Sequence, residues 1–490
     1  MSTITMKYPE VQNYIGGKKV ASGSNRLLEV VSPIDGSLLS RVPMSTPEDL
    51  DAAVASAKAA FPAWSSTSVK ERVQVLYRYR ELLIRHFDEL VNLVHEENGK
   101  TIDESKAEIE KCIELTEYAC SMPQIVSGSV QEVSRGVECQ TMRAPLGVVA
   151  SIVPFNFPAM VPNWTLPNAI ALGNTMIIKP SELVPLSCIR LAELLKEAGL
   201  PDGVLNIVNG DKDIVEAICD HPGIEAVSFV GSTKVAKIVY ARASASMKRV
   251  VALGGAKNHL MVLPDAHPAM TASNVTASMS GCAGQRCMAA SAMVAVGNVD
   301  HIIAMMVDEA NKIVLGKNLG PVITPEAKVR IEKYITEAEA QGAKILVDGR
   351  NAIVPGKENG FYVGPTIIDY VTPDMAVAKE EIFGPVISII RAKNLEEAIE
   401  IENNNPYGNA ASVFTQNGAF AKWVSERVSA GMIGVNIGVP VPREPFSFGG
   451  WNESKFGACD ITGDSSIEFW TRLKKVTTKW NAEARTNWMS

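Results

Sequence analysis

Five short stretches carry residues whose types suit chemistry. In Gly281-Cys282-Ala283-Gly284-Gln285-Arg286-Cys287-Met288, thiols lie in a glycine-rich turn at the end of a helical stretch. Arg286 stands beside one of them, and a neighbouring guanidinium favours the thiolate, the nucleophilic form. A free cysteine alone is more often a buried core residue, so its company matters. Pro154-Phe155-Asn156-Phe157-Pro158 follows an apolar run, and a side-chain amide there can donate to a developing oxyanion. Lys179-Pro180-Ser181-Glu182 follows another run and offers a cation and a carboxylate for ribose hydroxyls. Phe229-Val230-Gly231-Ser232-Thr233 joins a strand to a helix, with Ser232 at the expected N-cap, where phosphates bind. Glu380-Glu381-Ile382-Phe383-Gly384-Pro385 completes the set. The GxGxxG, GxxxxGK[ST] and GxSxG fingerprints are absent.

Taken together and in this order, the five stretches resemble the aldehyde dehydrogenase superfamily. The likeness runs from Tyr14-Ile15-Gly16-Gly17 nearly to the end of the chain. The resemblance implies that Cys287 is the nucleophile that attacks an aldehyde carbon. Asn156, with the backbone N–H of Cys287, then forms the oxyanion hole, and a hydride passes to a nicotinamide. It implies that Lys179 and Glu182 contact the adenosine ribose, and that Gly231 and Ser232 form the pyrophosphate turn. Glu381 would bind the nicotinamide ribose, with Phe155 and Phe383 near its ring. A carboxylate at Glu182 repels a ribose 2′-phosphate, which favours NAD over NADP.

One departure from the superfamily pattern is informative. Hydrolytic members carry a glutamate just before Leu-Gly-Gly that activates the deacylating water. In Val251-Ala252-Leu253-Gly254-Gly255 that position reads as Ala252. Water needs a general base to attack a thioester quickly, whereas a thiol is already a strong nucleophile near neutral pH. Loss of the base therefore suits coenzyme A as the acyl acceptor. The stretches Ala252–His259, Pro264-Asp265-Ala266, Gly284–Ala289 and Val439-Pro440-Val441-Pro442 resemble the methylmalonate-semialdehyde (malonate-semialdehyde) dehydrogenase branch. That branch oxidises the two semialdehydes with NAD and forms acetyl- or propionyl-CoA with loss of carbon dioxide.

The branch implies two cations for the substrate carboxylate. Arg286 matches one of them, and a guanidinium suits a planar carboxylate. The second, an arginine in the branch, aligns with Lys111, which cannot grip as a fork. Arg443 is a possible replacement cation. Gly449-Gly450-Trp451-Asn452-Glu453-Ser454-Lys455-Phe456-Gly457 also looks more like the wider superfamily. These departures leave room for an alternative: an NAD-dependent dehydrogenase of another small anionic aldehyde, such as a sulfonated one, that releases the free acid.

The elements that must position these residues are legible from periodicity. Asn13–Ser24 and Leu27–Val42 read as strands. Ser68 and Glu71 form a capping-box pattern ahead of a long amphipathic helix that ends near Asn98-Gly99, and Ile102–Ala119 reads as a second helix. Leu146–Val153, Thr175–Lys179, Val204–Val208, Ala226–Val230 and Val250–Leu253 read as strands separated by helices such as Pro185–Ala198. That is the rhythm of a parallel doubly wound sheet, which binds ligands at its strand carboxyl ends. A small-residue helical stretch follows Gly254-Gly255. Glu381–Ile390 and Ala411–Thr415 read as strands around the helix Leu395–Glu402, and Ser466–Trp480 as a strand or an arm. From Ala144 to Ile178 there is no charged residue, but prolines at 145, 154, 158, 162 and 167 predict buried strands and broken turns, not a membrane span.

Composition bounds the rest. The chain has 490 residues, 46% hydrophobic and 21% charged, with a net charge of −7. That excludes global disorder, and it argues against a dedicated nucleic-acid binder. Eight cysteines without a CxxC pair, and no export signal, predict reduced thiols in a cytoplasmic setting. Six scattered histidines give no metal pattern. The expected fold is α/β and aldehyde dehydrogenase-like. A Rossmann-type NAD-binding domain would span 1–123 and 145–254, and a catalytic domain 255–467. A small β oligomerisation arm would comprise 124–144 and 468–490 and make a homotetramer or homodimer.

Overall fold

The computed structural model describes residues 6–480. Short β-branched runs alternating with helices build two sheets that are parallel at their centres and carry antiparallel strands at their edges. The first has eight strands in the order Lys18–Val20, Asn13–Ile15, Leu205–Ile207, Thr175–Lys179, Val148–Ile152, Ala226–Val230, Arg249–Leu253, Lys455–Phe456. From Leu205–Ile207 to Arg249–Leu253 every neighbour is parallel. The strand order reverses between Val148–Ile152 and Ala226–Val230, and a doubly wound sheet opens its ligand crevice at such a switch point. Asn156 follows one of these strands, Gly231 and Ser232 the other.

The second sheet has seven strands, in the order Lys344–Val347, Thr366–Asp369, Val386–Ala392, Ala290–Val296, Asn258–Val262, Ala410–Phe414, Met432–Val435. A third sheet of three antiparallel strands joins Thr471–Lys479, Val137–Pro145 and Val130–Ser134. Among the described residues, no helix is long and apolar enough to cross a membrane.

Several expectations need correction. The long helix after Ser68 is two helices, Val69–Arg85 and Phe87–Asn98, broken at His86, whose backbone leaves helical geometry. The capping box and the left-handed Gly99 stop are as read. The proline-rich stretch does hold one helix, Met160–Ala171. Pro162 sits in its first turn, where an N–H has no helical partner anyway, so only Pro167 removes a bond. The strand Asn258–Val262 precedes the small-residue helix Pro268–Ser280. Residues 381–385 are a loop, and the strand begins at Val386. The tail is a short helix, Ser465–Trp470, and then the strand Thr471–Lys479.

Candidate active site

The helix Pro268–Ser280 runs into a tight turn, Gly281–Gly284, in which Cys282 and Ala283 both hold φ near +53°. Gly284 must be glycine, because a Cβ there would lie 2.0 Å from the carbonyl oxygen of Gly384. This close approach presses the turn onto the 381–385 loop. Of the two thiols, Cys282 is buried, and its N–H donates to the Glu104 carboxylate. Cys287 is partly exposed, three residues ahead of the strand Ala290–Val296. Its carbonyl oxygen accepts from Asn258 Nδ2 at 2.7 Å and Asn409 Nδ2 at 2.9 Å. Burial, followed by the Glu381 carboxylate, pushes the Cys287 thiol up to about 12; Arg286 pulls only weakly the other way. The expectation that Arg286 favours the thiolate is therefore outweighed: desolvation of the anion is the larger effect.

Asn156 reaches the same turn. Its Nδ2 donates to the Gln285 carbonyl at 3.0 Å, two residues from Cys287. An amide nitrogen carries two N–H groups, so this bond leaves one. Three residues that the sequence reading missed fix the loop. Lys100 and Glu108 form an ion pair whose side chains are 1% and 0% exposed. The Lys100 ammonium also donates to the Asn156 carbonyl and lies 3.7 Å from the centre of the Phe157 ring. Glu108 Oε1 accepts the N–H groups of Ala159 at 2.9 Å and Met160 at 3.0 Å, and Asn98 Nδ2 donates to the Phe155 carbonyl at 2.8 Å.

The residues expected to contact the cofactor lie on the loops and helix start that follow the strands at the switch point, and on the 381–385 loop. Lys179 Nζ is 2.8 Å from Glu182 Oε2, and Glu182 is 33% exposed. Ser232 is the N-cap residue of Thr233–Ala245, but its hydroxyl makes no capping bond within the described residues. Gly231 admits no side chain, since a Cβ would lie 2.5 Å from the Phe229 ring. Glu381 Oε1 accepts the Ala256 N–H at 3.0 Å, and burial raises its carboxyl to about 7. Lys257, almost fully buried, has no hydrogen-bond partner among the described residues, and burial lowers it to about 7. Phe383 holds φ +55° and meets the Phe155 ring edge-on, with centroids 5.8 Å apart. An uncapped helix start, a cation–carboxylate pair and a buried carboxylate fit the phosphates and two riboses of a dinucleotide.

The expected substrate cations are all engaged. Arg286 donates to the carbonyls of Ala277 at 3.1 Å and Ser278 at 2.9 Å. Lys111 lies 2.6 Å from Glu444 and 3.2 Å from Glu114. Arg443 is 80% exposed and lies 3.3 Å from Glu114.

The Aldehyde dehydrogenase family model matches residues 19–476. The chain belongs to the aldehyde dehydrogenase family. It is 46% identical, over 96% of its length and 99% of the relative's, to malonate-semialdehyde dehydrogenase 1 of Geobacillus thermodenitrificans. It is 43% identical, over 99% of its length and 92% of the relative's, to the human mitochondrial methylmalonate-semialdehyde/malonate-semialdehyde dehydrogenase [acylating]. A methylmalonate-semialdehyde dehydrogenase structure from Oceanimonas doudoroffii superposes with a TM-score of 0.95 at 41% identity, covering 97% and 99% of the two chains. A Sinorhizobium meliloti structure, assigned to the same activity and complexed with NAD, superposes at 0.96 with 42% identity over 98% and 100%.

The end of the strand Arg249–Leu253 holds no carboxylate in this aldehyde dehydrogenase. In the strand Arg249–Leu253, Ala252 packs into the cluster of Val227, Phe229 and Ile152 on one face of the sheet. Leu253 belongs to the apolar cluster on the other face, the one against which Cys287 and Phe157 pack. Strand side chains alternate, so only one of the two can face the nucleophile. Both residues are aliphatic, so whichever side of the strand meets the nucleophile, neither supplies a carboxylate there.

Proposed function

We propose that this aldehyde dehydrogenase oxidises malonate or methylmalonate semialdehyde with NAD and passes the acyl group from Cys287 to coenzyme A. The products are acetyl-CoA or propionyl-CoA and carbon dioxide. The carrying observation is that Ala252 and Leu253, at the end of the strand ahead of Gly254-Gly255, are both aliphatic, where a hydrolytic enzyme carries a carboxylate. Relatives with these named activities, 43–46% identical over nearly the whole chain, support it.

In this reading the Cys287 sulfur bonds to the aldehyde carbon, and the carbonyl oxygen takes the charge. The free N–H of Asn156 and the N–H of Cys287 donate to that oxygen. NAD, when bound, supplies the hydride acceptor. Phe155, Lys179, Glu182, Gly231, Ser232, Glu381 and Phe383 would hold it. Loss of the hydride leaves a thioester on Cys287. The thiolate of coenzyme A then forms a new C–S bond and expels Cys287 as thiolate. Decarboxylation breaks the C–C bond to the carboxylate, and the carbanion takes up a proton. Arg286 faces the substrate carboxylate, with Lys111 and Arg443 at hand once released from Glu444 and Glu114.

The same reading assigns 1–123 and 145–254 to cofactor binding, 255–467 to catalysis, and 124–144 with 468–490 to an arm that joins two or four chains. Residues 481–490 lie outside the described residues. Exposed Val130, Val133, Met142 and Leu473 on the third sheet support the arm, because an apolar open sheet invites a covering partner. A cytoplasmic setting is supported by eight free cysteines.

The deciding experiment follows NADH and acyl products from malonate semialdehyde with and without coenzyme A. Expected are turnover that depends on coenzyme A and acetyl-CoA equal to NADH. Free acid formed at the NADH rate without coenzyme A would overturn thiolysis.

A further inference from the structure

Two buried amides converge on the carbonyl oxygen of the nucleophile. Asn258 Nδ2 donates at 2.7 Å and Asn409 Nδ2 at 2.9 Å. They come from neighbouring parallel strands: Asn258 opens Asn258–Val262, and Asn409 immediately precedes Ala410–Phe414. Asn258 is tied further, its Nδ2 to the Ala289 carbonyl at 2.9 Å and its Oδ1 to the Ala410 N–H at 3.2 Å. Neither amide has a part in the steps above.

The carbonyl of Cys287 belongs to the same peptide unit as the N–H of Met288. That N–H and the N–H of Cys287 are the backbone donors that favour the charged sulfur. A hydrogen bond accepted at a peptide carbonyl polarises the N–H of the same peptide, and the effect grows in a low-dielectric interior. Two such bonds also fix the orientation of the peptide plane. The charged groups acting on this sulfur are Glu381, from the 381–385 loop, which opposes the anion, and Arg286, from its own turn, which assists it. Against burial and one charge of each sign, the backbone donors offset part of the cost of the anion.

We propose that Asn258 and Asn409 are positioning residues for the nucleophile: by gripping its carbonyl they aim and polarise the Cys287–Met288 peptide so that its N–H supports the sulfur anion. The inference rests on Cys287 being the nucleophile, but it does not depend on which aldehyde is used.

The test is the pH profile of Cys287 alkylation by iodoacetamide, followed by mass spectrometry of the Cys287 peptide in the full-length protein. Asn409→Leu and Asn258→Ser are each expected to slow alkylation at pH 7.5 about fivefold, the change produced by moving a thiol's titration up roughly 0.7 pH units. NAD affinity stays at the wild-type value, and Asn409→Gln recovers part of the rate. A folded Asn409→Leu or Asn258→Ser protein with the wild-type alkylation profile overturns the inference. Should Asn409→Leu fail to fold, Asn409→Ser carries the same comparison. Dehydrogenase activity surviving in Cys287→Ala would instead refute the nucleophile assignment itself, so the two failures are told apart.

Discussion

Lys111 Nζ and Glu444 Oε2 lie 2.6 Å apart, and the two side chains are only 18% and 10% exposed. A cation expected to greet the substrate is thus already neutralised, and an incoming carboxylate must compete with Glu444 for it. Glu444→Gln should lower KM for malonate semialdehyde about threefold, the scale of a partly exposed ion pair, with kcat nearly unchanged. KM for propanal, which has no carboxylate, should not move. Steady-state NADH formation measures both, and equal shifts for the two aldehydes would remove Lys111 from substrate binding.

The two faces of Arg249–Leu253 predict opposite outcomes for neighbouring substitutions. Leu253→Glu places a carboxyl on the face of the cluster against which Cys287 also packs, and it should raise turnover without coenzyme A roughly tenfold or more. Ala252→Glu buries the same group in the other cluster. It should give no such gain and cost on the order of 3 kcal/mol of stability. Thermal unfolding and coenzyme A-free NADH release distinguish them.

The Lys100–Glu108 pair is expected to matter for both stability and rate. Glu108→Gln leaves a buried ammonium without its counter-charge, a loss of about 3–5 kcal/mol. It also weakens the hold on the loop that carries Asn156, so kcat should fall. Lys100→Met combined with Glu108→Met should be more stable than Glu108→Gln alone by chemical denaturation, because no lone charge remains.

Glu381 links pH to cofactor binding. Burial raises its folded value to about 7, above the ordinary 4.5 of an unfolded chain. Its contribution to stability is therefore complete below about pH 4.5 and is lost as pH rises through about 7. Lys257 is depressed to about 7, so its contribution is present above the ordinary 10.5 and is lost as pH falls through about 7. A ribose hydroxyl donates best to the ionised carboxylate, so the Kd for NAD should weaken about tenfold from pH 8 to pH 6. Titration by fluorescence quenching should show that dependence flattened in Glu381→Gln.

Local signals were enough for much of this architecture. Ser68 and Glu71 announce a helix because the two groups cap each other whatever the rest of the chain does. Thr175–Lys179 and Ala226–Val230 are read to the residue because each is a short, mostly apolar, β-branched or aromatic run with abrupt ends. That Ala252 and Leu253 lie on opposite faces of the sheet is invisible to motif matching, because a single-residue step turns a strand side chain to the other face. Lys100, Glu108 and Asn98 escaped notice because each meets the Asn156 loop only through the packing of helices some 50 residues away in sequence. Glu381–Pro385 read as a strand from its apolar content. The close approach of Gly384 to Gly284 instead bends it into a loop. The engagement of Lys111 by Glu444 joins residues 333 apart, beyond the reach of any local pattern.

The strand Thr471–Lys479 pairs with Val137–Pro145 along nine residue pairs. Arg249, in the first sheet, donates to the carbonyls of Glu468 and Phe469, just before it, and of Thr471, its first residue. On a ribosome the hairpin that waits for this strand emerges more than 300 residues earlier than its third member. During that interval its open edge is a template for any extended strand, including the same hairpin on a neighbouring nascent chain. The order of synthesis thus leaves that edge of Val137–Pro145 unpaired until Thr471–Lys479 has been made.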